Sequence, residues 1–189
     1  MMTFSELMQN RRAIRDFQEK DVDLEIIKDI IRESCLAPSA SNGQPCRFII
    51  VRNRETMKKI SDESKKNLLD DLSRNPTILM KSYEAILRDE KFNVFYNAPC
   101  VIYVVGSNDV RSLDVDCALA VAYLMFAATQ RGLGTCWIGL GAHIRESQTK
   151  AAMGMPEDCR IVAPVIIGYP RAIPALPERK DPQILKIIS

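Results

Sequence analysis

The run Pro99-Cys100-Val101-Ile102-Tyr103-Val104-Val105-Gly106 offers almost no polar break. A strand of this composition has no face to turn to water, so it must be covered on both sides. Leu113 to Gln130 follows, Ala-rich and apolar on most sides, and reads as a central helix. A doubly covered strand beside a central helix demands a layered core. At 189 residues and 47% apolar content, the chain has material for one such core and too little for two ordinary domains. The whole of 1–189 is therefore expected to be a single domain.

The other elements follow from local signals. Thr3-Phe4-Ser5-Glu6 is a capping box that opens a short helix to about Asn10. Asp23 caps a second helix carrying the stripe Leu24, Ile27, Ile30 and Ile31, with Pro38 as its stop. Arg47–Val51 is a β-rich strand, and a polar helix runs from about Arg54 to Leu72. Segment 73–96, broken by Pro76, reads as a helix or two, loosely packed and a candidate mobile cover. Gly132 and Gly134 close the central helix. Thr135–Ile138 is a short strand, Ile144–Met153 a surface helix and Arg160–Ile167 the last strand. From Tyr169 the chain is punctuated by Pro170, Pro174, Pro177 and Pro182 and ends in the apolar Ile184-Leu185-Lys186-Ile187-Ile188. Such an arm needs a surface to cover, and a second subunit is the simplest one.

Several function classes are disfavoured. A net charge of +2 gives no field that would draw the whole protein to nucleic acid. The first residues form a polar helix, not a basic segment followed by an apolar run, so no secretory signal is expected. The longest apolar stretch, about Ala118 to Ala128, is short for a membrane span. Six cysteines contain no C-x-x-C pair, and several sit in apolar runs, the pattern of reduced buried thiols in a cytoplasmic protein. The single histidine, His143, has no partners that would make a metal site.

Chemistry concentrates in two segments. Arg11-Arg12-Ala13-Ile14-Arg15-Asp16-Phe17 places three guanidinium groups within five residues. Those forks suit phosphate oxygens. Ala37-Pro38-Ser39-Ala40-Ser41-Asn42-Gly43-Gln44-Pro45-Cys46 supplies hydroxyl and amide groups that can hydrogen-bond a planar polar ligand. Together they read as a pocket for a phosphorylated, ring-bearing cofactor. Taken singly, each has a plainer reading: the arginines as a helix end favoured by the dipole, the loop as ordinary polarity before a strand. Gly132-Leu133-Gly134 follows a helix and precedes a strand, the reverse of a dinucleotide turn. Trp137 reads as core or pocket wall, and Cys46, Cys100, Cys117 and Cys136 as small apolar fillers, with Cys136 a candidate to line the site. Tyr83, Phe92, Phe95 and Tyr96 are either a cover over substrate or amphipathic packing.

Taken in order, the arginine segment, the Pro38–Pro45 segment, Gly132-Leu-Gly134-Thr-Cys136-Trp137-Ile-Gly139 and Ile167-Gly168-Tyr169-Pro170 resemble the FMN-dependent nitroreductase family. The resemblance runs from about residue 4 to the C-terminus. It implies an α+β fold: a mostly antiparallel sheet flanked by helices, in an intertwined homodimer with an extended C-terminal arm, 169–189, laid on the partner. It implies two FMN sites in the dimer interface. Hydride from NADH or NADPH would reach flavin N5, and electrons would pass by a ping-pong cycle to a nitroaromatic, quinone or similar acceptor. Residue by residue, Arg11 and Arg15 would hold the phosphate and ribityl, with Arg12 and Ala13 at the flavin edge. Pro38, Ser39, Ala40, Ser41, Asn42 and Gln44 would come from the other subunit. Cys136, Trp137, Ile138 and Gly139 would face the ring, Arg179 and Lys180 would close on the phosphate, and Asn67 would meet the pyrimidine edge. No acid or base side chain is required by hydride transfer. The chain departs from the family in carrying Cys46 where an aromatic usually follows Gln-Pro. Two other functions stay open at this point: FMN storage or sensing without turnover, and other flavin chemistry such as dehalogenation or flavin breakdown.

Overall fold

A computed structural model of the chain describes residues 2–74 and 78–188. Pro76, the expected breaker, lies outside the described residues. Helix α1 (Phe4–Asn10) opens on the expected capping box: Thr3 N–H donates to the Glu6 carboxylate at 2.7 Å and Glu6 N–H donates to the Thr3 hydroxyl. Helix α2 (Leu24–Ser34) is capped by Asp23, which accepts from Glu25 N–H at 2.7 Å. It stops at Ser34, earlier than Pro38. The Ser34 hydroxyl is buried against the Ile31 carbonyl, a local bond that competes with helix propagation.

Strand β1 (Arg47–Val51) leads into α3 (Arg54–Arg74), and α4 (Ile78–Arg88) follows. Strand β2 (Cys100–Ser107), helix α5 (Leu113–Gln130), strand β3 (Gly134–Trp137), helix α6 (Ser147–Ala152) and strand β4 (Cys159–Gly168) complete the order. Helix α6 is shorter than the expected Ile144–Met153. Its first turn is preceded by Ile144–Glu146 in irregular backbone held by Glu63, whose carboxylate accepts from Arg145 N–H and Glu146 N–H.

The four strands pair antiparallel in the order β1-β2-β4-β3. Both faces of β2 are covered, as its composition requires. Val101, Tyr103 and Val105 join Met57 and Ile60 of α3 on one side; Cys100, Ile102 and Val104 join α2 and α5 on the other. A bulge shifts the β2–β4 register between Val104 and Val105, so Ile161 and Ala163 face opposite layers although two apart. Helix α5 fills the second layer with Leu113, Cys117, Val121, Leu124 and Ala128. By length and composition alone it would be long enough to cross a membrane, more than the 118–128 run indicated; here it is the core helix between α2 and the sheet.

Only one of the two glycines after α5 acts as its stop. Gly132 has φ of 72°, and Leu133 N–H closes back on the Ala128 carbonyl at 2.9 Å. Gly134 instead begins β3, where a Cβ would lie 2.6 Å from the Ile14 side chain. The Arg11–Phe17 segment must run that close to β3 to plug Ile14 and Phe17 into the core. Gly134→Ala is therefore expected to destabilise the fold by about 1–3 kcal/mol through overpacking, read as a lower urea midpoint.

Candidate functional site

Past α1 the chain becomes extended and lies along β3. Ile14 N–H donates to the Thr135 carbonyl at 2.9 Å, Ala13 bridges Thr135 in parallel, and Phe17 bridges Pro170. With Ile14 and Phe17 turned inward, Ala13 and Arg15 are left outside. Arg11 is half-buried and Arg15 exposed. Neither forms an ion pair with a described residue, whereas nearby Arg171 pairs with Asp16 at 3.2 Å. The Arg15 guanidinium lies 5.7 Å from the centre of the Tyr96 ring. Burial pushes the Cys136 thiol up, opposed by the positive charges of Arg15 and Arg11. These two arginines therefore bring unneutralised charge to bear on the β3 backbone.

Arg12 behaves differently. Its guanidinium donates to the carbonyls of Gln9, Arg11 and Ala175. It caps the end of α1 and braces the start of the C-terminal arm, the plainer role that the sequence allows. Beyond β3, Ile138 is buried and its N–H donates to the Pro164 carbonyl at 2.8 Å, while Trp137 is 39% exposed. Gly139 begins a 3-10 turn to Ala142, and a Cβ there would meet nothing within 4 Å. Its backbone is open to a ligand.

The Pro38–Pro45 loop is the second half of the candidate site. Ser41, Asn42 and Gln44 have φ of 51°, 53° and 46°, left-handed conformations that cost a side-chain-bearing residue about 1–2 kcal/mol. The loop is held in this shape. Ser39 hydroxyl accepts from Gln44 N–H at 3.0 Å, and the Gln44 amide donates to Asn42 at 3.2 Å. Buried Asp116, at the start of α5, accepts from Ala40 N–H at 3.0 Å and from Ser112 at 2.8 Å. Pro38, Ala40, Ser41, Asn42 and Gln44 are left exposed. Strained, braced, solvent-facing polar loops mark binding sites.

These halves are far apart within one chain. The loop enters β1, at one sheet edge, whereas Arg11–Phe17 lies on β3, at the other. Two strands intervene, a separation of about 14 Å. Asp116 holds the loop near the start of α5, and β3 begins just after its end, about 20 Å along the helix. Arg179 and Lys180 lie exposed on the arm, four and five residues beyond the Ala175 carbonyl that Arg12 holds.

Asn67 is buried in α3, where its amide donates to the His143 carbonyl at 2.8 Å. Beside it, the Glu63 carboxylate accepts from Arg145 N–H at 2.6 Å and from Glu146 N–H at 2.8 Å. Burial raises the Glu63 carboxyl, but the Glu146 N–H, the Thr149 side chain, the Arg145 N–H and the Asn67 amide together outweigh it and hold it below the ordinary value of 4.5. His143 is pushed down by burial, against the pull of Asp71, itself bound by Arg145. Of the aromatic residues in 73–96, Phe95 is fully buried against Tyr103 and belongs to the core. Tyr96, half-buried with φ of 52°, is the one beside Arg15.

Sequence reasoning had no means of finding Asp116, Glu63 or the Arg15–Tyr96 contact. All are long-range pairings without a local motif.

A cationic extended segment on one sheet edge and a strained polar loop at the other thus sit on an α+β scaffold. The chain belongs to the Nitroreductase family, whose model matches residues 8–169. It is 30% identical over 168 residues to a putative NADH dehydrogenase/NAD(P)H nitroreductase of Archaeoglobus fulgidus, covering 87% of this chain and 84% of that protein. It is 27% identical to a 5,6-dimethylbenzimidazole synthase of Rhodospirillum rubrum, covering 91% and 84%. A nitroreductase with bound FMN from Desulfitobacterium hafniense superposes with a TM-score of 0.83 at 24% identity, over the full length of both chains.

The depressed Glu63 carboxyl has a pH consequence. Its contribution to stability is present above the ordinary glutamate range and is lost as pH falls through its lowered folded value. Glu63→Gln should lose about 1–3 kcal/mol at pH 7, and the difference from the unsubstituted protein should shrink as pH drops below about 4. Denaturant titrations at the two pH values read this directly.

Proposed function

We propose that the chain is an FMN-containing oxidoreductase that takes hydride from NADH or NADPH and delivers electrons to a nitroaromatic, quinone or similar acceptor. The observation that carries this is the pair Arg11 and Arg15, in no ion pair with a described residue and near enough to act on Cys136 of β3, the strand that leads to the open backbone of Gly139. An anionic ligand with a flat ring satisfies both features. The donor set fits: guanidinium forks for a phosphate, an approachable Gly139 for a ring edge, and hydroxyl and amide groups at Ser39–Gln44 for the opposite side.

The chemistry FMN supplies when bound is reversible two-electron transfer. The chain's residues bind and orient. Arg15 and Arg11 neutralise the phosphate and stabilise negative charge that develops on the ring system. Tyr96 shields one face of Arg15 from water. Arg12 secures the arm on which Arg179 and Lys180 lie.

The protein acts as a homodimer. The two halves stand at opposite edges of the sheet and near opposite ends of α5, so the sheet itself lies between them and favours a site completed by a second copy. A second copy supplies the missing loop. Val115, Leu119 and Tyr123 form an exposed apolar stripe on α5 at four-residue spacing, flanked by Phe4, Met8 and Leu36. A groove of about 380 Å³ runs among Phe4, Leu36, Tyr123 and Phe126. The exposed Ile184, Leu185, Ile187 and Ile188 of the arm require a covering surface as well.

Purified protein should be yellow and bleach with NADH or NADPH under anaerobic conditions. Colourless protein that takes up no added FMN would sink the reading. A yellow protein that nicotinamides fail to bleach would instead point to storage. Aerobic loss of FMN with release of a benzimidazole would point to the chemistry named for the Rhodospirillum relative. Arg15→Ala should weaken FMN binding about 10–100-fold, the loss of one charge-assisted contact, with an unchanged thermal midpoint. Leu119→Asp should shift the protein to monomer in sedimentation and lower FMN occupancy with it; a monomer that keeps full FMN affinity would refute the shared site.

A further inference from the structure

We propose that Cys46 and Cys117 are a peroxide-oxidisable thiol pair whose disulfide ties the Ser39–Gln44 loop to α5 and weakens FMN binding. The thiol pair stands on its own geometry; the effect on FMN rests on the function proposed above.

The two sulfurs lie 3.5 Å apart, although 71 residues separate them in the chain. Both cysteines are free thiols, and they are unequally placed. Cys46 is half-exposed at the end of the polar loop, while Cys117 is fully buried in the first turns of α5. This is the arrangement of an accessible attacking thiol and a protected resolving thiol. The hydrogen bond from Cys117 lowers the Cys46 thiol, against burial and the charge of Asp116. Cys117 is pushed up, first by its hydrogen bond to Cys46 and then by burial. Cys46, the sulfur open to solvent, is the one that meets the oxidant first. Closure costs little main-chain order, because Asp116, next to Cys117, already holds Ala40.

The chemistry balances with a hydroperoxide as oxidant. The Cys46 thiolate attacks a peroxide oxygen, the O–O bond breaks, and the leaving hydroxide takes a proton to become water. Cys46 is then a neutral sulfenic acid. The Cys117 sulfur attacks the Cys46 sulfur, the S–O bond breaks, and a second water leaves with the Cys117 proton. Two thiols are oxidised and one peroxide is reduced to two waters. A dithiol reductant reverses the bond by exchange.

Bond formation draws the sulfurs from 3.5 Å to about 2.05 Å. Cys46 moves toward α5, and Gln44, two residues away with φ of 46°, moves with it. The exposed polar edge of the loop is thereby drawn back from its ligand.

The test uses full-length protein carrying Cys35→Ser, which removes the one fully exposed thiol. After treatment with hydrogen peroxide, intact mass should fall by about 2 Da per chain. A non-reducing digest should yield one cross-linked peptide joining Cys46 to Cys117, lost on adding dithiothreitol. FMN titration by fluorescence should show at least threefold weaker binding in the oxidised form, restored by dithiothreitol. Cys46→Ser and Cys117→Ala should each abolish the mass loss and the change in affinity. Absence of the cross-link at peroxide levels that fully oxidise Cys46 to higher acids overturns the pair. A cross-link with unchanged FMN affinity overturns the switch. Failure of the reduced protein to bind FMN refutes the proposed function instead, with the mass measurement still reporting on the thiols.

Discussion

The β2–β4 pairing governs the molecule. Eight residues of β2 pair with β4 and seven of them are buried, so β2 cannot serve as a surface. β1 and β3 are thereby forced to the edges, and α5 is forced against the layer that α2 shares. Edge strands carry unpaired backbone and need management. At β3 the Arg11–Phe17 segment supplies it, bonding to Thr135 and inserting Ile14 and Phe17. The cationic segment is thus an edge cover whose inward residues pack and whose outward residues remain for chemistry.

The same constraint divides the candidate site. The loop that enters β1 and the segment that covers β3 stand at opposite edges and near opposite ends of α5. A ligand that needs both must lie between two chains, and the apolar stripe Val115, Leu119 and Tyr123 offers a seam for the second one. The fold and the separation of the two polar segments are in this way consequences of one strand order.

Much of this was legible in the chain. Thr3–Glu6, Asp23, Arg47–Val51 and Leu113–Gln130 were readable because caps, β-branched runs and apolar periodicity act over a few residues. The polar loop and the arginine cluster were readable as binding chemistry by composition. Gly134 was misread as a helix stop because its reason is Ile14, distant in sequence and adjacent in space. Arg12 read as a flavin-edge residue beside Ala13, and its fork is held by three carbonyls, one of them 163 residues away. Cys46 and Cys117 each read as filler, because a thiol's neighbour is not written beside it.

The sequence alone determined the elements, the family pattern and the kinds of groups available for a ligand, since these depend on side-chain type and short-range order. Only the tertiary structure decided which arginines stay unneutralised, which cysteines meet, and that the two polar segments stand apart. Those outcomes depend on strand order and on contacts between residues tens of positions apart, which no local preference encodes.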